Sequence, residues 1–492
     1  MTTEAELTGS AAAAAPPPDI EEAEGKPAWG ALLVVLAGMF IANLDFFIVN
    51  VAIPSLQKGM HATGAEIQLV ASTFNIGLAG AMITGGRLGD LYGRRRIFSI
   101  GLAAFSVASL ACGAAPNMGE LIVARAVQGV SAGLVIPQVL GILTTAYTGK
   151  ARVAAFNGYG LALGGSAVFG QLIGGLLIKA DVFGLDWRTI FLINLPIGAV
   201  VLALAPRVVP ESRSDGRTGL DLVGVLLVTA GLVAVVLPLV EGQERGWPEW
   251  TWVSMAAAVP LLGLFWLYQR RLAARGGSPL VSPVLFHERA FRVGVSAILA
   301  FFCVMGSFFF VLALYLQEGR GASALTSGLI FFPMGLGFFV SSTQAPRVAA
   351  KLGRQVLALG AVLLAVGDVA LAETVHALGS DGAVGWCVPA LVLCGFGMGF
   401  VVAPLTSLVL AVVAPEHAGA ASGVFSTAQE MGSALGIAVI GVIFFNAIGS
   451  GHGPHVFAHA FEVALAVLAG ICVLVALIVQ RLPKAEQSAE GA

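Results

Sequence analysis

Asp45, Arg125 and Glu430 each stand inside a run of apolar residues. Asp45 lies in FIANLDFFIVNVAIP (40–54), Arg125 in LIVARAVQGVSAG (121–133) and Glu430 in STAQEMGSALG (426–436). An ionisable side chain in hydrocarbon costs several kcal/mol unless it is paired or neutralised, so each is a candidate for carrying or relaying charge. At about 1.5 Å of rise per residue, Arg125 lies ~10 Å and Asp45 ~13 Å from the same side of the membrane, which brings them to one depth. A pair there offsets both burial costs. These spacings suit a purely structural pair and a proton-exchanging pair equally. Gln128 follows Arg125 by three residues and shares its helix face. Glu430 falls ~20 Å along its own helix, near mid-membrane. It can take a proton, meet a cationic substrate, or act as a neutral acid in a helix–helix hydrogen bond.

A second constellation is GRLGDLYGRRR (86–96). Gly86 and Gly93 permit a sharp turn and close helix approach. Asp90 can accept hydrogen bonds from a neighbouring helix N-terminus or pair with Arg94. The spacing suits a conformational gating loop; the plainer alternative is a basic loop that only sets topology. Asn75 and Gln138 are polar groups that could line a cavity, with Phe74, Phe309 and Phe332 as aromatic walls. Asp368 is also mid-span, but on a helix expected to be peripheral. Glu241, Glu373 and His376 fall near outer helix ends, where solvation is expected. GLALGGSAVFGQLIGG (160–175) is dense in small residues, which suits tight packing or a hinge between halves.

Other chemistries lack residues. The five cysteines, Cys112, Cys303, Cys387, Cys394 and Cys472, lie in apolar runs without metal-binding spacing. His452, His455 and His459 cluster in one connection and are expected to be solvated. Gly149-Lys150 is followed by Ala151, so no phosphate-binding loop forms, and neither HExxH nor GxSxG occurs. An enzyme is not indicated.

The elements that must position these groups are membrane helices. The chain of 492 residues is 57% hydrophobic and only 11% charged, with net charge −2, far from the roughly 25% charged residues of soluble domains. No bulk polarity invites nucleic acid. About fourteen runs meet the ~20-residue requirement of a spanning helix, near 29–54, 66–89, 97–115, 118–146, 153–178, 188–206, 220–241, 251–269, 292–316, 325–346, 355–376, 384–412, 418–447 and 457–480. Residues 1–28 are Ala/Pro/Glu-rich and read as a disordered tail; residues 481–492 read as a C-terminal tail. With the N-terminus inside, about 20 of the basic residues fall inside and roughly 5 (Lys58, Lys179, Arg188, Arg245, Arg320) outside, so both termini are expected to be cytoplasmic.

The chain also repeats itself. GRLGDLYGRRR is echoed by PRVAAKLGRQ (346–355), and GVSAGLVIP (129–137) by GFGMGFVVAP (395–404) with a one-residue slip. Two six-helix bundles over 29–206 and 291–480, joined by a linker over 207–290 with two additional spans, fit these offsets. Such parallel repeats place a substrate site at their interface.

In order along the chain, LDFFIVNVAIP (44–54), GRLGDLYGRRR and RAVQGVSAG (125–133) resemble three successive signatures of the major facilitator superfamily. WRTIFLINLPIG (187–198), YLQEGRGASALTSGLIFFP (315–333) and GAASGVFSTAQEMGSALG (419–436) narrow the resemblance to the fourteen-span drug:proton antiporters, the multidrug efflux pumps of bacteria. The resemblance implies an all-α major facilitator fold with alternating access, driven by the proton gradient without a cofactor. It implies export of amphipathic drugs or secondary metabolites from a bacterial cytoplasmic membrane, by a chain acting as a monomer. Asp45 matches its proton-coupling acid, Arg125 the arginine linked to it, and Asp90 and Arg94 its loop ion-pair positions. The chain departs from the pattern in two places. GQLIGG carries Gln171 where proline is usual, and Ala428-Gln429-Glu430 stands where many relatives have Arg-Gln, which suits cationic substrates.

Overall fold

The computed structural model describes residues 29–62, 64–181, 184–213, 220–242, 245–379, 382–411, 413–414, 417–449 and 453–482. The expected tail over 1–28 lies outside these, as do His452 and all of the expected 481–492 tail except residues 481 and 482.

Everything long and apolar becomes helix. The order is α1 (Trp29–Met60), α2 (Gly64–Tyr92), α3 (Arg94–Ala114), α4 (Met118–Ala146), α5 (Gly149–Ala180), α6 (Thr189–Leu192), α7 (Asn194–Val208), α8 (Leu222–Glu241), α9 (Glu249–Ala274), α10 (Arg289–Leu314), α11 (Ala324–Leu352), α12 (Gln355–Leu378), α13 (Val388–Ala411), α14 (Ala418–Ile448) and α15 (Pro454–Val479). The four-residue α6 and α7 together make the sixth span. The described residues therefore hold fourteen long helical elements and no strand. Local chemistry sets several ends. Asn117 accepts from the Glu120 amide, Asp221 from Gly224 and Ser323 from Thr326, satisfying amides that the first helical turn leaves unpaired. Expected span ends differ from these by a few residues.

Twelve of the helical stretches are long and apolar enough to cross a membrane on that measure alone, and the chain is a multi-pass membrane protein. α2 and α5 fall short of the measure. Both lie on the seam between the two halves, α2 against α14 and α5 against α11 and α13, where less of their surface has to meet lipid.

α1 to α7 form one bundle and α10 to α15 the other; α8 and α9 make a hairpin whose α8 packs on α2. The internal repeat reappears as packing. A Cβ added to Gly129 of α4 would strike the Phe74 carbonyl of α2, and one added to Gly395 of α13 would strike the Met334 carbonyl of α11. Gly133 and Gly399 press in the same way on Leu78 and Phe338, one turn later. Small residues allow the backbones this approach.

Arg94, Arg95 and Arg96 start α3, Arg270 and Arg271 lie in the last turns of α9, and Arg354 joins α11 to α12; by the alternation of the spans these helix ends share one face, called here the basic face. Gly93, between α2 and α3, adopts φ 104, a conformation that disfavours any side chain. A Cβ there would also strike the Glu211 carboxylate. That carboxylate accepts from the Arg95 and Arg96 amides at 3.0 and 3.2 Å, capping α3.

Candidate functional site

Asp45 of α1 is fully buried in the first bundle. Arg125 Nη1 donates to its Oδ2. Gln128 Nε2 and Asn194 Nδ2 donate to Oδ1 at 3.0 and 2.7 Å. Ser109 of α3 accepts from both amides, at 2.7 and 3.3 Å. Arg125 is held in turn: Nη1 reaches Gln128 Oε1 at 2.8 Å, Nε reaches the Val70 carbonyl at 3.1 Å, and the guanidinium lies 4.2 Å from the Phe74 ring centroid. Five spans thus converge on one carboxylate. Asn194 is brought there by the break between α6 and α7, which starts a new helix at that residue. Burial is sustained because every charge has a partner.

Asp90 ties the two halves together at the basic face. It is fully buried at the end of α2 and pairs with Arg94 at 2.5 Å. Across the seam, its Oδ1 and Oδ2 accept from the backbone amides of Gly419 and Ala420, each at 2.9 Å. These are the first-turn amides of α14, where a helix dipole favours an anion. Gly86 and Gly419 are in backbone contact beside it; a Cβ on either would enter the other's carbonyl. On the other flank, Arg152 of α5 donates to the Leu410 carbonyl at 2.5 Å, in the last turn of α13. An anion thus caps one helix start and a cation one helix end, each from the opposite bundle. The halves are shut at this face.

Towards the other face they part around a cavity of about 880 Å³. Phe46, Asn75, Phe310, Glu430 and Asn446 line it, with Val236, Leu239 and Trp247 from the inserted hairpin. Asn75 Oδ1 is buried without a protein hydrogen bond. No Lys or Arg among the described residues forms an ion pair with Glu430. The lining is aromatic and aliphatic with a few polar groups, the composition of a small-molecule site.

The sequence pattern of the Major Facilitator Superfamily matches residues 35–437. The chain belongs to that superfamily. It is a transporter rather than an enzyme, and carries a small molecule. It is 37% identical over 440 residues to a probable actinorhodin transporter of Streptomyces coelicolor, covering 89% of this chain and 75% of that one. It is 35% identical to puromycin resistance protein pur8 of Streptomyces alboniger, covering 92% and 90%. To multidrug resistance protein Stp of Mycobacterium tuberculosis it is 31% identical, covering 86% and 78%. Among solved folds, the human organic anion transporter MFSD10 superposes with TM-score 0.67 at 15% identity, covering 92% of this chain and all of that one. The proton:xylose symporter XylE superposes with TM-score 0.63 at 16% identity, covering 93% and 96%.

Within this superfamily fold, Asp45 and Arg125 do meet, and Asp90 does pair with Arg94. Glu430 and Asn75 do line the cavity. Gln138 does not: it is fully buried and its Nε2 donates to the Gly85 carbonyl at 2.7 Å, pinning α4 to α2. Phe74 packs on Arg125 instead of the cavity, Phe309 stacks on Phe331, and Phe332 is half-exposed outside it. The aromatic walls are Phe46, Trp247, Phe310 and Phe445. Glu241 is buried rather than solvated, accepting from Ser72 at 2.7 Å and pairing with Arg245 at 2.8 Å. Glu373 and His376 are exposed. Asp368 is buried on peripheral α12, facing the thiols of Cys394 and Cys472 at 3.7 and 3.9 Å. His455 and His459 are exposed in the first turns of α15, and no metal-binding cluster occurs among the described residues. The side chain of Gln171 lies outside the described residues. Sequence reading missed Ser109, Asn194 and Arg152. Ser109 and Asn194 are single polar residues in apolar runs, and Arg152 was counted only as a basic residue of an inside connection; none of these signals says which neighbour the side chain meets.

Proposed function

We propose that this chain is a proton-coupled exporter of drugs or amphipathic secondary metabolites, working by alternating access across a bacterial cytoplasmic membrane. The basic face is then cytoplasmic, as are both termini, and the cavity beside Glu430 faces outward. The observation that carries the reading is the Asp45–Arg125 pair, buried in the same bundle whose α1 and α2 line the cavity. The relatives named for resistance to puromycin and to multiple drugs support export.

Asp45 exchanges the proton. Protonation removes the negative charge that holds Arg125 Nη1, so the guanidinium falls back on Gln128 Oε1 and the Val70 carbonyl. Five spans share that network, so its rearrangement changes how α1 and α4 sit against α2. Asp90 and Arg152 then release the second bundle, and the cavity opens to the cytoplasm. Substrate enters, the proton leaves, and the seam closes again. Moving one net elementary charge per cycle through 100 mV supplies about 2.3 kcal/mol, enough for roughly a fifty-fold gradient of a neutral substrate; a monovalent cation exchanged for one proton moves no net charge and draws on the pH difference alone. Glu430, which pairs with no Lys or Arg among the described residues, favours substrates bearing a cation. A monomer suffices for this cycle.

A dedicated exporter of one metabolite is the second reading, favoured by the relatives named as a probable actinorhodin transporter and a cephamycin export protein. Purified protein in proteoliposomes under an imposed pH gradient tests the main reading with puromycin and ethidium as probes. Asp45→Asn should lose gradient-driven uptake while keeping substrate counterflow. Full gradient-driven transport by Asp45→Asn would sink the Asp45 assignment. Transport of actinorhodin or of cephamycin alone, and of neither probe, would favour the second reading.

A further inference from the structure

The inserted hairpin is built into the transport cavity. α2 and α14 touch at the basic face, where Gly86 meets Gly419 and Gly423 meets Ile83. Towards the other face these helices part, and α8 stands beside the gap. Val236 and Leu239 of α8 and Trp247 of the following turn complete the cavity wall there.

The attachments of α8 are unequal. On the α2 side they are polar and directional. Ser72 Oγ donates to Glu241 Oε1 at 2.7 Å, and Thr229 Oγ1 donates to the Gly80 carbonyl at 3.0 Å. At the basic end, Asp221 caps α8, accepts from Gln269 of α9 at 2.7 Å, and lies in the field of Arg87 of α2. On the other bundle the contacts are apolar. Val424 and Met431 of α14 lie on the cluster of Ile83, Val228 and Leu232; the connection from α9 to α10 is tied back to α9 itself, where the Val281 amide donates to Gln269 at 3.2 Å and Phe286 meets the Trp266 ring edge-on at 5.2 Å. Hydrogen bonds between helices in a membrane fix register. Apolar faces without them can slide.

We propose that the α8–α9 hairpin is a substrate-contacting side wall of the cavity that travels with the first bundle and slides over α14. Val236, Leu239 and Trp247 meet the apolar body of the substrate, while Asn75 and Glu430 meet its polar end. The wall closes the cavity against lipid on this side, so it also selects for the bulk that fits between α8 and α14. This rests on the alternating-access reading.

Spin-label distances in nanodiscs test it without needing a substrate. Ile100 of α3, Leu226 of α8 and Leu359 of α12 are exposed to the outside of the bundle, whereas the natural cysteines are buried or half-buried. Cysteines are introduced at these positions in pairs, and each pair is compared with and without Asp90→Asn, which loosens the basic face. The Ile100–Leu359 pair reports on the two bundles and should lengthen. The Leu226–Leu359 distance should lengthen with it, and the Leu226–Ile100 distance should stay constant. A constant Leu226–Leu359 distance, or a changing Leu226–Ile100 distance, overturns the inference. If Ile100–Leu359 itself stays fixed both with Asp90→Asn and across a pH step, the alternating-access reading fails, and the inference fails with it. For the wall itself, Trp247→Ala should change the relative KM of bulky and slim probes; an equal fall in kcat for both would overturn the contact role.

Discussion

The Asp90 carboxylate and the Gly419 amide, 329 residues apart in sequence, are joined by a 2.9 Å hydrogen bond across the seam. The same carboxylate binds Arg94 within its own bundle, so the contact that shuts the basic face also neutralises a buried guanidinium. Asp90→Asn keeps one acceptor oxygen but loses the charge. Hydrogen bonds to a charged group contribute about 1.5–3 kcal/mol, so the closed form should lose about 10- to 100-fold in population. Maleimide labelling of a cysteine at Ser426, buried behind the seam, should rise accordingly, and transport should fall.

Asn194 should matter as much as the motif residues beside it. Asn194→Ala removes a 2.7 Å donor from Asp45 and a second bond to Ser109. A buried acceptor left short of a donor costs about 1–3 kcal/mol. Gradient-driven transport should drop by about tenfold, with the protein still inserted and monodisperse on size exclusion. Wild-type rates in Asn194→Ala would show that the amide is a bystander.

Glu430→Gln separates charge recognition from cavity shape. Gln keeps the size and hydrogen-bonding capacity of the side chain and removes its charge. With a bond to a charged group contributing about 1.5–3 kcal/mol, kcat/KM for a lipophilic cation should fall about tenfold or more. A neutral analogue of the same shape should be transported as before. Equal losses for both would assign Glu430 to packing.

The repeat predicts a pair of matched effects on stability. Gly129→Ala and Gly395→Ala each push a methyl group into the backbone of the neighbouring helix. Overpacking costs about 1–3 kcal/mol, so both should lower the melting temperature in detergent by similar amounts. Gly263 of α9 has nothing within 4 Å of an added Cβ, and Gly263→Ala should leave the melting temperature unchanged or higher. Divergent effects at Gly129 and Gly395 would break the structural equivalence of the two halves.

Much of the site was legible because hydrocarbon makes charge conspicuous. Asp45, Arg125 and Glu430 stand out against apolar runs, and counting helical rise was enough to put Asp45 and Arg125 at one depth. Asp90 was legible too, although the segment read as a loop is the last turn of α2, since a carboxylate at a tight helix–helix turn has few partners besides a helix start or an arginine. Gln138 was misassigned and Glu241 taken as solvated for one reason. Distance along a helix is readable from sequence, but the direction a side chain faces depends on which neighbour packs there. Ser109 and Asn194 escaped because single polar residues in membrane helices are ordinary, and Arg152 because a basic residue at a helix start reads as part of the topogenic charge.

The sequence by itself determined the helical fold, the segregation of its basic turns to alternate helix ends, the twofold repeat and the depth of Asp45 and Arg125. These follow from local quantities: length, hydropathy, charge placement and the spacing of glycines. Only the tertiary structure decided that Asn194 and Ser109 complete the Asp45 network, that Asp90 reaches Gly419, and that α8 walls the cavity. Each of those depends on rotation and contact between helices far apart in the chain. Such contacts are set by side-chain packing summed over whole helix faces, which no single stretch of residues encodes.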